Sequence, residues 1–262
     1  MKSSIASMST CGLRWSGCMF SLFFTTFAEH FRPLTAATVR IGNKPNDIKT
    51  MLTNPVEDRN EKLAQTVIRH LRQRHFDGYY CKNVDQLKSL IKTLIPEKSS
   101  ITWGGSVTVR SIGINKLLKE GNYTVYDRDD ATTDEEKQAA YLKAFSCDYY
   151  LSSVNAMTED GQIVNIDGNG NRVAALTWGP KHVVYIVGIN KICQDLDAAV
   201  KRARSTAAPV NAQRFNLNTP CKADGVCHNC QSPDSICNYI WIQRLSPNHR
   251  HTVILVAEDL GY

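Results

Sequence analysis

The chain of 262 residues lacks most of the short signatures that reveal an enzyme. It has no H-x-x-x-H pair, which excludes the helical zinc-hydrolase type of site, and no G-x-S-x-G turn, which excludes a nucleophile elbow. Its seven histidines are scattered, and no nucleophile–base pair can be named. Blocks of like charge are missing too. The net charge of +6 is spread out, and its densest group, Arg69 to His75, has the spacing of a solvated helix face, so a nucleic-acid partner is not expected. No apolar run is long enough for a stable membrane span. The segment Cys18 to Phe27, preceded by Lys2 and Arg14 and followed by Ala28, fits only a weak signal-peptide core. Residues 1–53 therefore read as an N-terminal extension, disordered or targeting-like, with Met51 resembling a protein start. If residues 1–28 acted as a signal peptide the protein would be exported; otherwise it is expected in the cytoplasm. Internal repeats and low-complexity linkers are absent, so residues 54–262 read as one domain.

What is present is an alternation of two periods. Leu63, Val67, Ile68 and Leu71 share one helical face, and Leu87, Leu90, Ile91 and Leu94 share another. Between and after them stand short apolar runs, "GYYC", "SSITW", "YTVYD", "CDYYLSSV" and "HVVYIVG". Helical stretches intervene: "SVTVRSIGINKLLKEG" reads as one helix closed by Gly121, and "DLDAAVKRARSTAAP" as one capped by Asp195 and ended by Pro209. Strands alternating with helices predict an α/β fold with a mostly parallel sheet and helices on both faces. The last two runs, "YIWIQRL" and "TVILVAE", are joined by a short connection and read as an antiparallel pair.

Ligands of open α/β sheets bind outside the carboxyl ends of the strands, and two segments fall there. In "WGGSVT", Gly104 and Gly105 allow a tight turn and Ser106 can cap the next helix. With Thr108 they offer free N–H groups to an anion such as a phosphate or carboxylate. In "NAMTEDGQIVNIDGNGNRVAA", Asp160-Gly161 is a hairpin turn. Asn155, Asn165, Asp167, Asn169 and Asn171 form a candidate binding loop, four of them at alternate positions ahead of a helix start. Glu159 and Asp160 are acids in a turn, the kind that is usually solvated, and no catalytic residue is assigned.

Cysteine is the one chemically crowded residue type. Of nine cysteines, Cys221, Cys227, Cys230 and Cys237 fall within "CKADGVCHNCQSPDSIC". An odd total without regular spacing is unlike a secreted disulfide framework and points to a reducing compartment. Cys81, Cys147 and Cys193 sit in apolar segments as inert buried thiols. In the C-x5-C-x2-C-x6-C run, the central pair can grip one metal and the outer pair can close the coordination. Four thiolates suit zinc or an iron–sulfur cluster and exclude magnesium or calcium. Zinc sites usually carry two C-x2-C knuckles and only one is present, which tilts the choice towards a four-iron cluster. Disulfide or redox-thiol chemistry, and cysteines that bind nothing, stay open as alternatives. His228 could replace one ligand, although a solvent-facing position is its plainer role.

Together, "WGGSVTVRSIGI", "NAMTEDGQIVNIDGNGNRVAA", "GPKHVVYIVGINKICQDLDAAVKRAR", the cysteine segment and "VILVAEDLGY" resemble the LUD-domain family of lactate utilisation proteins, LutC-like members in particular. The resemblance covers most of the chain from about Asn54. It implies a three-layer α/β/α fold similar to the sugar-phosphate isomerase and CoA-transferase superfamily. It also implies a link to lactate oxidation, in which family members act beside iron–sulfur oxidoreductase partner proteins. Many members lack the cysteines, so this chain resembles a cysteine-bearing branch. The repeated cysteine run of ferredoxin-type subunits is absent. "DYYLSSVNAMTEDGQIVNIDGNG" is also similar to a loop of methylthioribose-phosphate isomerases and initiation-factor 2B subunits, which favours a phosphorylated ligand. The expectation is a redox or accessory protein of organic-acid utilisation that binds an anionic small molecule and a metal or cluster. The alternatives are an enzyme acting on a sugar phosphate or acyl-CoA with structural zinc, and a non-enzymatic regulatory subunit.

Overall fold

Helix α1 (Pro55–Gln73) begins where the sequence places it. The Asn54 side chain accepts the Val56 N–H, Pro55 occupies the first turn, and Glu57 and Asp58 complement the helix dipole. The computed structural model describes residues 54–262, so the expectations for residues 1–53 lie outside the described residues. Next come β1 (Asp77–Cys81), α2 (Val84–Leu94), β2 (Ser100–Trp103), α3 (Val107–Ser111), α4 (Ile114–Lys119), β3 (Thr124–Tyr126), α5 (Asp134–Lys143) and β4 (Tyr149–Ser152). A second group of elements follows: β5 (Ala156–Thr158), β6 (Ile163–Asp167), α6 (Asn171–Thr177), β7 (His182–Gly188), β8 (Ile192–Cys193) and α7 (Leu196–Arg202). A π-helical turn (Ala203–Ala207) leads into α8 (Ala208–Ala212), then α9 (Pro220–Asp224), β9 (Tyr239–Gln243) and β10 (His251–Val256).

Six strands form a sheet in the order β1-β10-β7-β4-β2-β3, and every neighbouring pair is parallel. The alternation of side chains along β7 and β10 explains the layers. Val183, Tyr185, Val187, Val253 and Leu255 meet Ala64, Val67 and Leu71 of α1 on one face. Val184, Ile186, Ile254 and Val256 meet Leu87, Ile91, Val109 and Leu118 on the other. Fully burying one such aliphatic side chain stabilises the fold by about 2 kcal/mol. The result is an α/β fold of three layers. No helix among the described residues is long and apolar enough to cross a membrane.

Three expectations about individual elements need correction. The final two strands do not pair: β9 lies antiparallel to β6 in a second sheet ordered β8-β5-β6-β9, while β10 inserts between β1 and β7. β10 is buried at five of its six positions and needs cover on both faces, whereas Tyr239, Ile240 and Ile242 of β9 remain exposed. The helix expected from Ser106 to Gly121 breaks in two, because Gly113 takes a left-handed conformation with φ 73°. Pro209 does not end its helix either. The π-helical turn resets the hydrogen-bond frame ahead of it, and Pro209 falls in the first turn of α8, where its missing N–H costs little.

Candidate functional site

Gly104 and Gly105 follow β2 at the carboxyl end of the main sheet. A Cβ on Gly104 would lie 2.7 Å from the Tyr150 hydroxyl, and one on Gly105 would lie 2.5 Å from Nη2 of Arg128. Both glycines therefore admit the close approach of a polar side chain. Ser106 accepts the Val109 N–H at 3.3 Å and caps α3. Asn171 lines a small cleft with Gly104, Arg128, Tyr141 and Tyr150.

Thr108 is buried, and its Oγ1 donates to the Leu260 carbonyl at 3.5 Å. The same oxygen accepts from Nζ of Lys191 at 3.2 Å, and Ser153 Oγ stands 3.0 Å from Nζ on the other side. Lys191, in the turn between β7 and β8, is only 2% exposed. Among the described residues no carboxylate pairs with it. Burial, followed by the Arg202 and Arg172 guanidiniums, lowers its pKa to about 7.

The asparagine-rich loop surrounds the same region. The Asn155 N–H donates to Asn165 Oδ1 at 3.2 Å, while Asn155 Oδ1 accepts from the Ile166 N–H at 2.8 Å and from Arg172 Nη2 at 3.2 Å. The Arg202 guanidinium donates to the carbonyls of Asn155 and Asn190. Asp167 accepts the N–H groups of Gly170 and Val173 and holds Arg172 Nε at 3.4 Å, so it starts α6 and positions an arginine. Asn165 is fully buried, and its Nδ2 has no partner. Asn169 is exposed. The alternate spacing of these residues is thus partly the pleat of β6, which turns Asn165 and Asp167 inward. Asp160 is held away from this chemistry by an ion pair with Arg74 and by hydrogen bonds to Thr158 and Gln162.

Residues 260–262 lie against this region. The Leu260 N–H donates to Asn190 Oδ1 at 3.2 Å, Asn190 Nδ2 donates to the Gly261 carbonyl at 3.3 Å, and the Tyr262 hydroxyl donates to Asn211 Oδ1 at 2.9 Å. Gly261 has φ 61°, and a Cβ there would collide with Thr108 Oγ1 and sit 3.3 Å from Lys191 Nζ.

The four clustered cysteines border one cavity of about 80 Å³, together with Ile166, Arg204 and Pro209. Cys221 belongs to α9, which Gly225 ends at φ 80°, and Asn229 turns the chain between Cys227 and Cys230 at φ 50°. All four are free thiols. Cys237 is exposed as a residue, yet burial of its thiol, with Cys221, Cys227 and Cys230 adding, pushes its pKa up to about 11. Arg204 opposes that shift and hydrogen-bonds Asn229. His228 pairs with Asp224 at 2.6 Å. Among the described residues no three Cys, His, Asp or Glu side chains are arranged to hold a metal ion, so the thiols share a cavity without meeting at a point. Four soft sulfurs, none in a disulfide, are donors of the type that hold zinc or an iron–sulfur cluster, while their placement brings no three of them to one point.

Ile166 connects the two regions. Its main chain binds Asn155 and Arg172, and its side chain lines the cysteine cavity. Sequence reasoning missed Lys191, Ser153, Arg172 and Arg202. The one available signal was a lysine within the apolar run "VGINKIC", just beyond a strand buried on both faces.

Fold and site define an α/β/α protein with a buried cationic cluster at the strand ends and a separate four-thiol cavity. The LUD domain family model matches residues 64–256. The chain belongs to the LUD domain family, which is linked to lactate utilisation. Among solved structures, the crystal structure of a DUF162 family protein from Deinococcus radiodurans is similar at 13% identity and a TM-score of 0.46, covering 76% of this chain and 98% of that one. No curated protein matches the chain.

Proposed function

We propose that this protein is a redox or accessory component of organic-acid utilisation, working in the cytoplasm beside iron–sulfur oxidoreductase partners. It holds an anionic small molecule at the strand ends and a metal or iron–sulfur cluster at Cys221, Cys227, Cys230 and Cys237. The observation that carries this reading is the sharing of one cavity by four free thiols. A cluster supplies one-electron transfer when bound; zinc would supply only a structural tie. Two features support the anionic ligand. Among the described residues, Lys191, Arg172 and Arg202 stand together with Asp167 as the one acid bonded to them, and Asn165 keeps an unpaired donor. Gly104 to Thr108 and Asn171 border the same end of the sheet.

The test is anaerobic purification followed by a visible spectrum and a metal assay. A brown protein with iron and sulfide supports electron transfer. A colourless protein with stoichiometric zinc sinks that part, and a chain carrying neither sinks the metal assignment.

A further inference from the structure

Lys191 stands out because a buried lysine almost always faces a carboxylate, and this one faces two hydroxyls. The hydrogen bonds suit an uncharged amine. Thr108 Oγ1 spends its proton on the Leu260 carbonyl and so accepts from Nζ. Ser153 Oγ, 3.0 Å away, accepts from Nζ as well and keeps its own proton for a ligand oxygen. Among the described residues, Nη1 of Arg172 and Nη2 of Arg202 have no protein partner, while the other nitrogens of both groups are anchored on main-chain and side-chain oxygens. The site therefore combines a nucleophilic nitrogen, a hydroxyl that can relay a proton, and two guanidinium edges able to take a carboxylate.

We propose that Lys191 condenses with the carbonyl group of a small oxo acid, forming an imine while Arg172 and Arg202 receive the acid group. The inference rests on the anionic-ligand part of the reading above and names the ligand's class. Nζ attacks the carbonyl carbon, and a C–N bond forms. The two amine protons pass to the carbonyl oxygen, with Ser153 Oγ as relay, and that oxygen leaves as water. The step consumes no oxidant or reductant. Leu260 and Gly261 cover the amine, so this segment must lift for the ligand to enter.

The experiment uses the full chain, glyoxylate as the smallest oxo acid, and sodium cyanoborohydride to trap imines, followed by peptide mapping. Cyanoborohydride is the trapping reagent alone. At neutral pH, Lys191 is expected to label at least about tenfold faster than exposed Lys82 and Lys116, since each unit by which burial lowers the Lys191 pKa raises its own uncharged fraction about tenfold. Labelling of Lys191 no faster than those two, or none at all, overturns the proposal. Mapping is done on the unaltered chain, so the result does not depend on how a variant folds. A separate thermal-shift titration with inorganic phosphate, on the unaltered chain and on Lys191→Arg, reads the anion site itself. Stabilisation of both by phosphate without an adduct keeps the anionic-ligand reading and ends the imine. An adduct without phosphate stabilisation keeps the imine and removes the phosphate-type ligand.

Discussion

The lysine cluster and the cysteine cavity are neighbours built in opposite ways. The cluster is assembled from the ends of β4 and β7 and the short helix α3, all anchored in the core, and its polar groups are tied to one another. The cysteine loop spans α9 and an irregular segment, and is pinned mainly by single hydrogen bonds such as Asn218 N–H to Asp234 and Ser232 Oγ to the Asn218 carbonyl. The first region is stable because the fold makes it so. The second is held by few contacts of its own.

Substitutions can break or sharpen this contrast. Asp167→Ala should have the largest effect, a loss of about 3 kcal/mol in urea-unfolding stability, because it strands the Arg172 charge and leaves two N–H groups of α6 uncapped. Gly104→Ala should cost roughly 2 kcal/mol by pressing a methyl group onto the Tyr150 hydroxyl, read from the same melts. Lys191→Met should alter the pH dependence of stability. The folded-state pKa of about 7 lies below the ordinary 10.5, so the unfolded chain binds the extra proton between those values. Stability of the unaltered protein should then rise with pH across that window, by at most about 1.4 kcal/mol per unit, and the variant should lose this slope. The smallest change should come from the double variant Cys227→Ser, Cys230→Ser in metal-free protein, within about 0.5 kcal/mol of the parent. If that variant instead unfolds like Asp167→Ala, the two regions are not built differently.

The layers were legible in the sequence because helical faces such as Leu63, Val67, Ile68 and Leu71 and two-faced strands such as "HVVYIVG" announce their burial locally. The place of β10 was not, since pairing with β1 and β7 joins residues more than sixty positions apart and leaves no local mark. The candidate site divided in the same way. Ser106 was legible as a helix cap because cap chemistry is local. Asp167, read as a ligand contact, accepts two N–H groups at the start of α6. Lys191 and Arg202 escaped, because a charge enters a core only through partners contributed by distant elements, here Thr108, Ser153 and Asn155.

The π-helical turn at Ala203–Ala207 begins just after Arg202, which serves the lysine cluster, and contains Arg204, which lines the cysteine cavity. A turn of this kind is an α-helix carrying one surplus residue. Removing Ser205 would return the helix to its ordinary pitch and leave the faces before and after the turn in place. Pro209 would then stand inside one continuous α-helix, where its ring meets the carbonyl one turn back at a cost of about 3 kcal/mol.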